Sequence, residues 1–174
     1  VDLDRSIVEK LGDPLVHLVR NAVDHGIESP AEREQLDKPA EGTIELRAWR
    51  DREHVVIEVE DDGRGISAER LRQQAIDHDI VSRERAERMS FDEVYDLVFE
   101  PGFSTADEVT DVSGRGVGMD AVRRTVTSLD GTVDLTSEPG SGTTVRIRLP
   151  VSVAVSKMLF MGVGHERYAI PASV

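Results

Sequence analysis

The chain is 174 residues long, 39% hydrophobic and 32% charged, which suits one compact domain with a real core. It contains no cysteine, so neither disulfides nor thiolate metal sites organise it, it has no apolar run of membrane-spanning length, and no signal peptide is expected of it. Its 34 acidic residues against 21 Lys plus Arg give a net charge of -13, which disfavours binding along a nucleic-acid backbone.

Asp13 as N-cap, Pro14 in the first turn and Gly26 as C-cap predict a helix over 14–25. At helical spacing Leu15, Leu18, Val19 and Ala22 form an apolar stripe, while His17, Asn21, Asp24 and His25 fall together on another face. An Asn oxygen is a hard neutral ligand that suits Mg²⁺ bridging nucleotide phosphates, although a solvated polar face is the plain alternative. A strand follows at Ile44, Leu46 and Ala48, and a second places Val55, Ile57, Val59 and Asp61 on one face, with Val56, Glu58, Glu60 and Asp62 on the other. Asp61 thus continues a buried row, where a carboxylate can accept a hydrogen bond from the amino group of adenine. Gly63 and Gly65 let the turn after it approach a base closely.

Ser67 is a plausible N-cap for a helix reaching about Asp79, and after a charged stretch another helix is expected around 91–99. The segment EPGFSTADEVTDVSGRGVG, over 100–118, is long and rich in small residues, with Phe99 and Phe103 as its anchors. Gly114, Gly116 and Gly118 run straight into a helix over roughly 118–129, an arrangement that frees backbone amides for phosphate oxygens. No GK[ST] follows and no βαβ unit surrounds it, so neither a P-loop nor a dinucleotide fingerprint fits, whereas a lid closing over nucleotide does. Strands at Val133 and Leu135 and at Val145, Ile147 and Leu149 complete a sheet covered by helices on one side. A further hairpin after Pro150 reads as a separate module, and a start without Met with an abrupt end at Val174 is expected of an excised fragment.

These motifs resemble the ATP-binding catalytic domain of the CheA chemotaxis histidine kinases, in the GHKL or Bergerat superfamily. DPLVHLVRNAVDHGIE is similar to the family's N box, VEDDGRGI to its first glycine box, FEPGFST to its F box, VSGRGVGMD to its second glycine box and GSGTTVRIRLP to its last threonine-bearing strand. LPVSVAVSKMLFMGV resembles the opening of the CheW-like regulatory β domain, which puts the domains at 1–150 and 151–174. The resemblance implies an α+β fold, a two-layer α/β sandwich with a mixed sheet covered by helices on one face and a long ATP lid. It also implies ATP and Mg²⁺ as ligands, with Asn21 binding the metal, Asp61 reading adenine and Thr143 supporting that contact. His17, Asp24 and His25 would lie in the nucleotide site, and Ser104, Gly114, Gly116 and Gly118 in the lid. One departure is DKP at 37–39, where the family often has GKP.

Hydrolysing members of the superfamily carry a glutamate four residues before the Asn to activate water, and His17 stands there instead. Transfer to another acceptor is therefore expected, with catalysis resting on His17 and Asn21 and mostly on positioning. The acceptor histidine is expected on a separate phosphotransfer domain. Through its regulatory domain the protein would meet the coupling protein and chemoreceptors, as a cytoplasmic homodimer at receptor arrays with no membrane insertion of its own. A serine kinase of the superfamily and a non-catalytic, nucleotide-gated interaction module are the alternatives.

Overall fold

The computed structural model describes residues 4–103, 118–151, 158–163 and 166–171, the last two segments by their backbone. Helix α1, Arg5–Asn21, runs into a short π-helical turn, Ala22–Gly26, and helix α2, Pro30–Gln35, follows. Strands β1, Ile44–Asp51, and β2, His54–Asp61, form a hairpin. Helices α3, Ala68–Asp77, α4, Arg83–Arg88, and α5, Phe91–Asp96, come next, with a 3₁₀ turn at Leu97–Phe99. Helix α6, Met119–Ser128, then leads to strands β3, Thr132–Glu138, and β4, Gly142–Pro150. A separate two-stranded sheet holds β5, Met158–Val163, and β6, Glu166–Pro171, so the hairpin expected after Pro150 is present.

The large sheet has the order β1-β2-β4-β3, and each of its three pairings is antiparallel. The two-layer α+β architecture is as expected, but the described strands do not form the mixed sheet that was expected with it. Side-chain alternation reports which face a residue occupies and carries no information on strand direction.

Helices cover one face. Ile7, Leu11 and Leu18 of α1, Leu71 and Ala75 of α3, Val94 of α5, and Val122 and Val126 of α6 pack on Val55, Ile57, Val59, Val133, Leu135, Val145, Ile147 and Leu149. Each fully buried Val, Ile or Leu contributes about 1.5–3 kcal/mol. The uncovered face carries ion pairs beside a small apolar patch: Glu58 is buried there between Arg47 and Arg146, Arg148 pairs with Asp134, and Val56 is buried in register with Trp49. Serine caps set the helix starts, since Ser67, Ser82 and Ser90 each accept the N–H three residues on.

The first helix differs from expectation. It begins at Arg5 rather than at Pro14, and Pro14 lies buried inside it, so Asp13 is not its N-cap. A proline inside a helix costs about 3 kcal/mol. The apolar row Ile7, Leu11, Leu18, with Pro14 between, buries enough side chains to offset that cost.

Candidate nucleotide site

Asp61 ends β2 on the core-facing row and is only 7% exposed. In register it faces Thr143 of β4, whose Oγ1 lies 3.0 Å from Ser137 Oγ on β3. Three polar side chains thus terminate an otherwise apolar face. Gly63 N–H donates to Asp61 Oδ1 at 3.0 Å, and the Thr143 N–H also bonds the carboxylate. Burial holds the Asp61 carboxyl above the usual carboxylate value, aided by the nearby charges of Asp62 and Glu28 and opposed by those two N–H groups. Among the described residues no cation pairs with it.

Asn21 closes α1, and its Nδ2 lies 3.0 Å from His17 Nε2 and 3.3 Å from Met119 Sδ on α6. An amide nitrogen only donates, so His17 Nε2 accepts and the imidazole is neutral. Burial lowers the His17 pKa, the Arg20 charge adds to this, and Asp120 opposes it. With its nitrogen held by the histidine and the thioether, the Asn21 amide turns its oxygen the other way, and that oxygen is the group available to a hard cation.

Beyond Asn21 the α-helical phase does not hold. Ile27 N–H bonds Ala22 O at 2.8 Å, an i to i+5 closure that makes a π turn of 22–26. Asp24 and His25 lie within this turn and are exposed, whereas His17 and Asn21 are half-buried. The turn instead brings Gly26 to the carboxylate: a β-carbon there would lie 3.3 Å from the Asp61 carboxyl group. Gly63 and Gly65 make their close approaches to protein backbone, where a β-carbon would meet Gly26 O at 2.2 Å and Glu138 O at 2.1 Å, the latter at φ +64°. Gly118 caps α6, and its carbonyl accepts the Ala121 and Val122 N–H groups. Ser104, Gly114 and Gly116 lie outside the described residues, whereas the expected anchors Phe99 and Phe103 are both buried.

One cluster escaped the sequence reading. Arg33 of α2 is fully buried; its Nη1 and Nη2 bond Asp62 Oδ1 and Oδ2 at 3.1 and 2.8 Å, and Nη1 also reaches Glu28 Oε2 at 3.2 Å. Lys38 Nζ donates to Glu28 Oε1 at 2.8 Å and to the carbonyls of Asp62 and Gly63 at 3.0 and 2.7 Å. Burial alone pushes the Asp62 carboxyl up, but the Thr43 N–H, Arg33 and Lys38 outweigh it and bring it below its usual value. Burial likewise raises Glu28, and its bonds and the charges of Lys38 and Arg33 more than reverse this. The available signal was Ser29-Pro30-Ala31-Glu32, a capping box that predicts α2.

The DKP departure has a local explanation. Lys38 N–H bonds Arg33 O and Asp37 N–H bonds Glu34 O, which makes a Schellman ending with Asp37 in the left-handed position at φ +56°. Glycine suits that position best, and aspartate tolerates it.

Among the described residues no helix is long and apolar enough to cross a membrane, and no group of three His, Cys, Asp or Glu could hold a metal. Residues 11–153 match the family described as histidine kinase-, DNA gyrase B- and HSP90-like ATPase. The chain is 59% identical over 171 residues to the chemotaxis protein CheA of Halobacterium salinarum, covering 98% of this chain and 26% of that protein. It is 42% identical to CheA of Bacillus subtilis, covering 99% of this chain and 26% of the relative, so it spans about a quarter of the length of these proteins. A nucleotide-free structure of the catalytic domain of histidine kinase ThkA shares the fold, with a TM-score of 0.50 at 17% identity over 87% of this chain and 69% of that one. The matched span holds the second half of α1, the large sheet and every described site residue, and the chain belongs to the histidine kinase-, DNA gyrase B- and HSP90-like ATPase family.

Proposed function

We propose that this chain is the ATP-binding catalytic unit of a chemotaxis histidine kinase, transferring the γ-phosphoryl group of ATP to a histidine carried on a separate phosphotransfer domain. The observation that carries the reading is the His17–Asn21 pair, because it sets a neutral imidazole where water-activating members of the family place a carboxylate. Without a carboxylate base there, a protein acceptor held in line is favoured over water.

In this mechanism Asp61 accepts the hydrogen bond of the adenine amino group at the closed end of the sheet, with Thr143 beside it. Asn21 would hold magnesium by its amide oxygen, and magnesium when bound supplies neutralisation of phosphate charge. A single protein ligand fits this ion, which keeps waters and substrate phosphates as its other partners. His17 fixes the Asn21 amide and faces the phosphates, while Asp24 and His25 stand at the exposed edge of the same helix end. In this reading Ser104, Gly114, Gly116 and Gly118 are assigned to a lid over the phosphates, as the resemblance implies, and Gly118 caps α6.

Residues 151–174 begin a regulatory domain that meets a coupling protein and chemoreceptors, within a cytoplasmic homodimer at receptor arrays. The similarity to chemotaxis proteins over this segment supports that reading. The test is to mix the chain with γ-labelled ATP and histidine phosphotransfer domains. Acid-labile, base-stable label on the partner is expected, and tight ATP binding without transfer to any partner would sink the kinase reading.

A further inference from the structure

We infer that Lys38 and Arg33 are positioning residues for Asp61, acting on it through the peptide that joins Asp62 to Gly63. The inference rests on the reading of Asp61 as the adenine contact. That peptide has two ends. Its carbonyl, Asp62 O, accepts from Arg33 Nη1 at 3.2 Å and from Lys38 Nζ at 3.0 Å. Its N–H, on Gly63, donates to Asp61 Oδ1 at 3.0 Å. Two cations on the oxygen of an amide polarise it and fix its plane, so its N–H is aimed and strengthened as a donor.

The next peptide repeats the arrangement. Gly63 O accepts from Lys38 Nζ at 2.7 Å, and the N–H of the same unit, on Arg64, donates to Gly26 O at 2.9 Å. Lys38 therefore grips two successive peptide planes, one ending on the base-reading carboxylate and the other on the π turn that follows Asn21. Buried Glu28 holds Lys38 in place, and Arg33, which also binds Glu28 and both Asp62 oxygens, is anchored further by its Nε to Pro39 O at 2.6 Å. Lys38 points away from any phosphate role in this arrangement, since its three bonds all go to Glu28 and the turn.

The test compares wild type, Lys38→Met, Lys38→Arg and Asp61→Asn by calorimetric binding of ATP, ADP, AMP and GTP with magnesium. Lys38→Met is expected to weaken ATP, ADP and AMP alike by about five- to tenfold and to narrow the preference for ATP over GTP. Lys38→Arg should restore most of both. If Lys38→Met proves too unstable to purify, Glu28→Gln combined with Lys38→Met removes the carboxylate left behind and gives the same readout. Unchanged ATP affinity and preference in Lys38→Met, alongside a clear loss in Asp61→Asn, overturns this inference alone. No loss in Asp61→Asn overturns the adenine reading beneath it. A loss that grows from AMP to ATP places Lys38 on the phosphates and overturns the positioning role.

Discussion

Asp61 and Asp62 are consecutive at the end of one strand, and their carboxyl groups have opposite surroundings. Asp61 continues the core-facing row, receives N–H bonds from Gly63 and Thr143 and is held above the usual carboxylate value by burial. Asp62 turns to the other side, meets both arms of the Arg33 guanidinium and the Thr43 N–H at 2.9 Å, and is held below it. An acidic pair need not act as a pair. A carboxylate matched to a cation serves the fold, and one left with neutral donors keeps its attraction for a ligand.

The largest effect should come from the cation side. Arg33→Met leaves buried Glu28 with Lys38 alone and Asp62 without its fork, and should cost about 3–5 kcal/mol of stability in urea unfolding. A loss below about 1 kcal/mol would mean that the cluster behaves as a surface ion pair and that Asp62 does not serve the fold.

On the other side, Asp61→Asn should lower ATP affinity by about ten- to over a hundredfold, a loss of about 1.5–3 kcal/mol, measured by calorimetry. It should do so without loss of stability at neutral pH. Because the folded pKa of Asp61 is raised, its ionisation costs stability as pH climbs from 3.8 through the folded value, and an amide removes that cost.

Acid titration sharpens the contrast, since the two aspartates contribute with opposite sign. The folded pKa values of Asp62 and Glu28 are lowered, so their stabilisation is present above their ordinary values of 3.8 and 4.5 and is lost as pH falls through the folded ones. Denaturation midpoints followed from pH 7 downward should show Asp62→Asn less stable than wild type at pH 7 and converging with it in acid. Asp61→Asn should gain most at pH 7 and lose that gain in acid. Equal signs for the two variants would contradict the assignment.

The smallest effect is at the turn that delivers Lys38. Asp37→Gly relieves a left-handed residue but loosens the unfolded chain, so thermal unfolding should show a gain of under about 1 kcal/mol with unchanged ATP affinity.

Strand parity alone separated Asp61 from Asp62, and the Ser67 cap, the Phe99 and Phe103 anchors and the Gly118 start of α6 were all readable from local rules. The π turn was not, because a fixed 100° per residue assumes the helix type that the chain abandons after Asn21. Nor was the start of α1, where a proline and an aspartate imitated a cap although Ile7 and Leu11 already carried the helical spacing. Arg33 was invisible for a different reason. A charged residue on a short polar helix reads as solvated, and only the fold shows that Glu28 and Asp62 converge on it.

Strand β1 lies at the edge of the large sheet, and all its residues after Ile44 are exposed. Such a border invites other chains to add strands, and alternate side chains there decide whether they do. Glu45, Arg47, Arg50 and Asp51 put charge of both signs along this one, which keeps Leu46 and Trp49 from becoming a sticky seam. The chain can therefore be crowded at high local density without sheets joining edge to edge, and neutralising those four charges would be the shortest route to an aggregating variant.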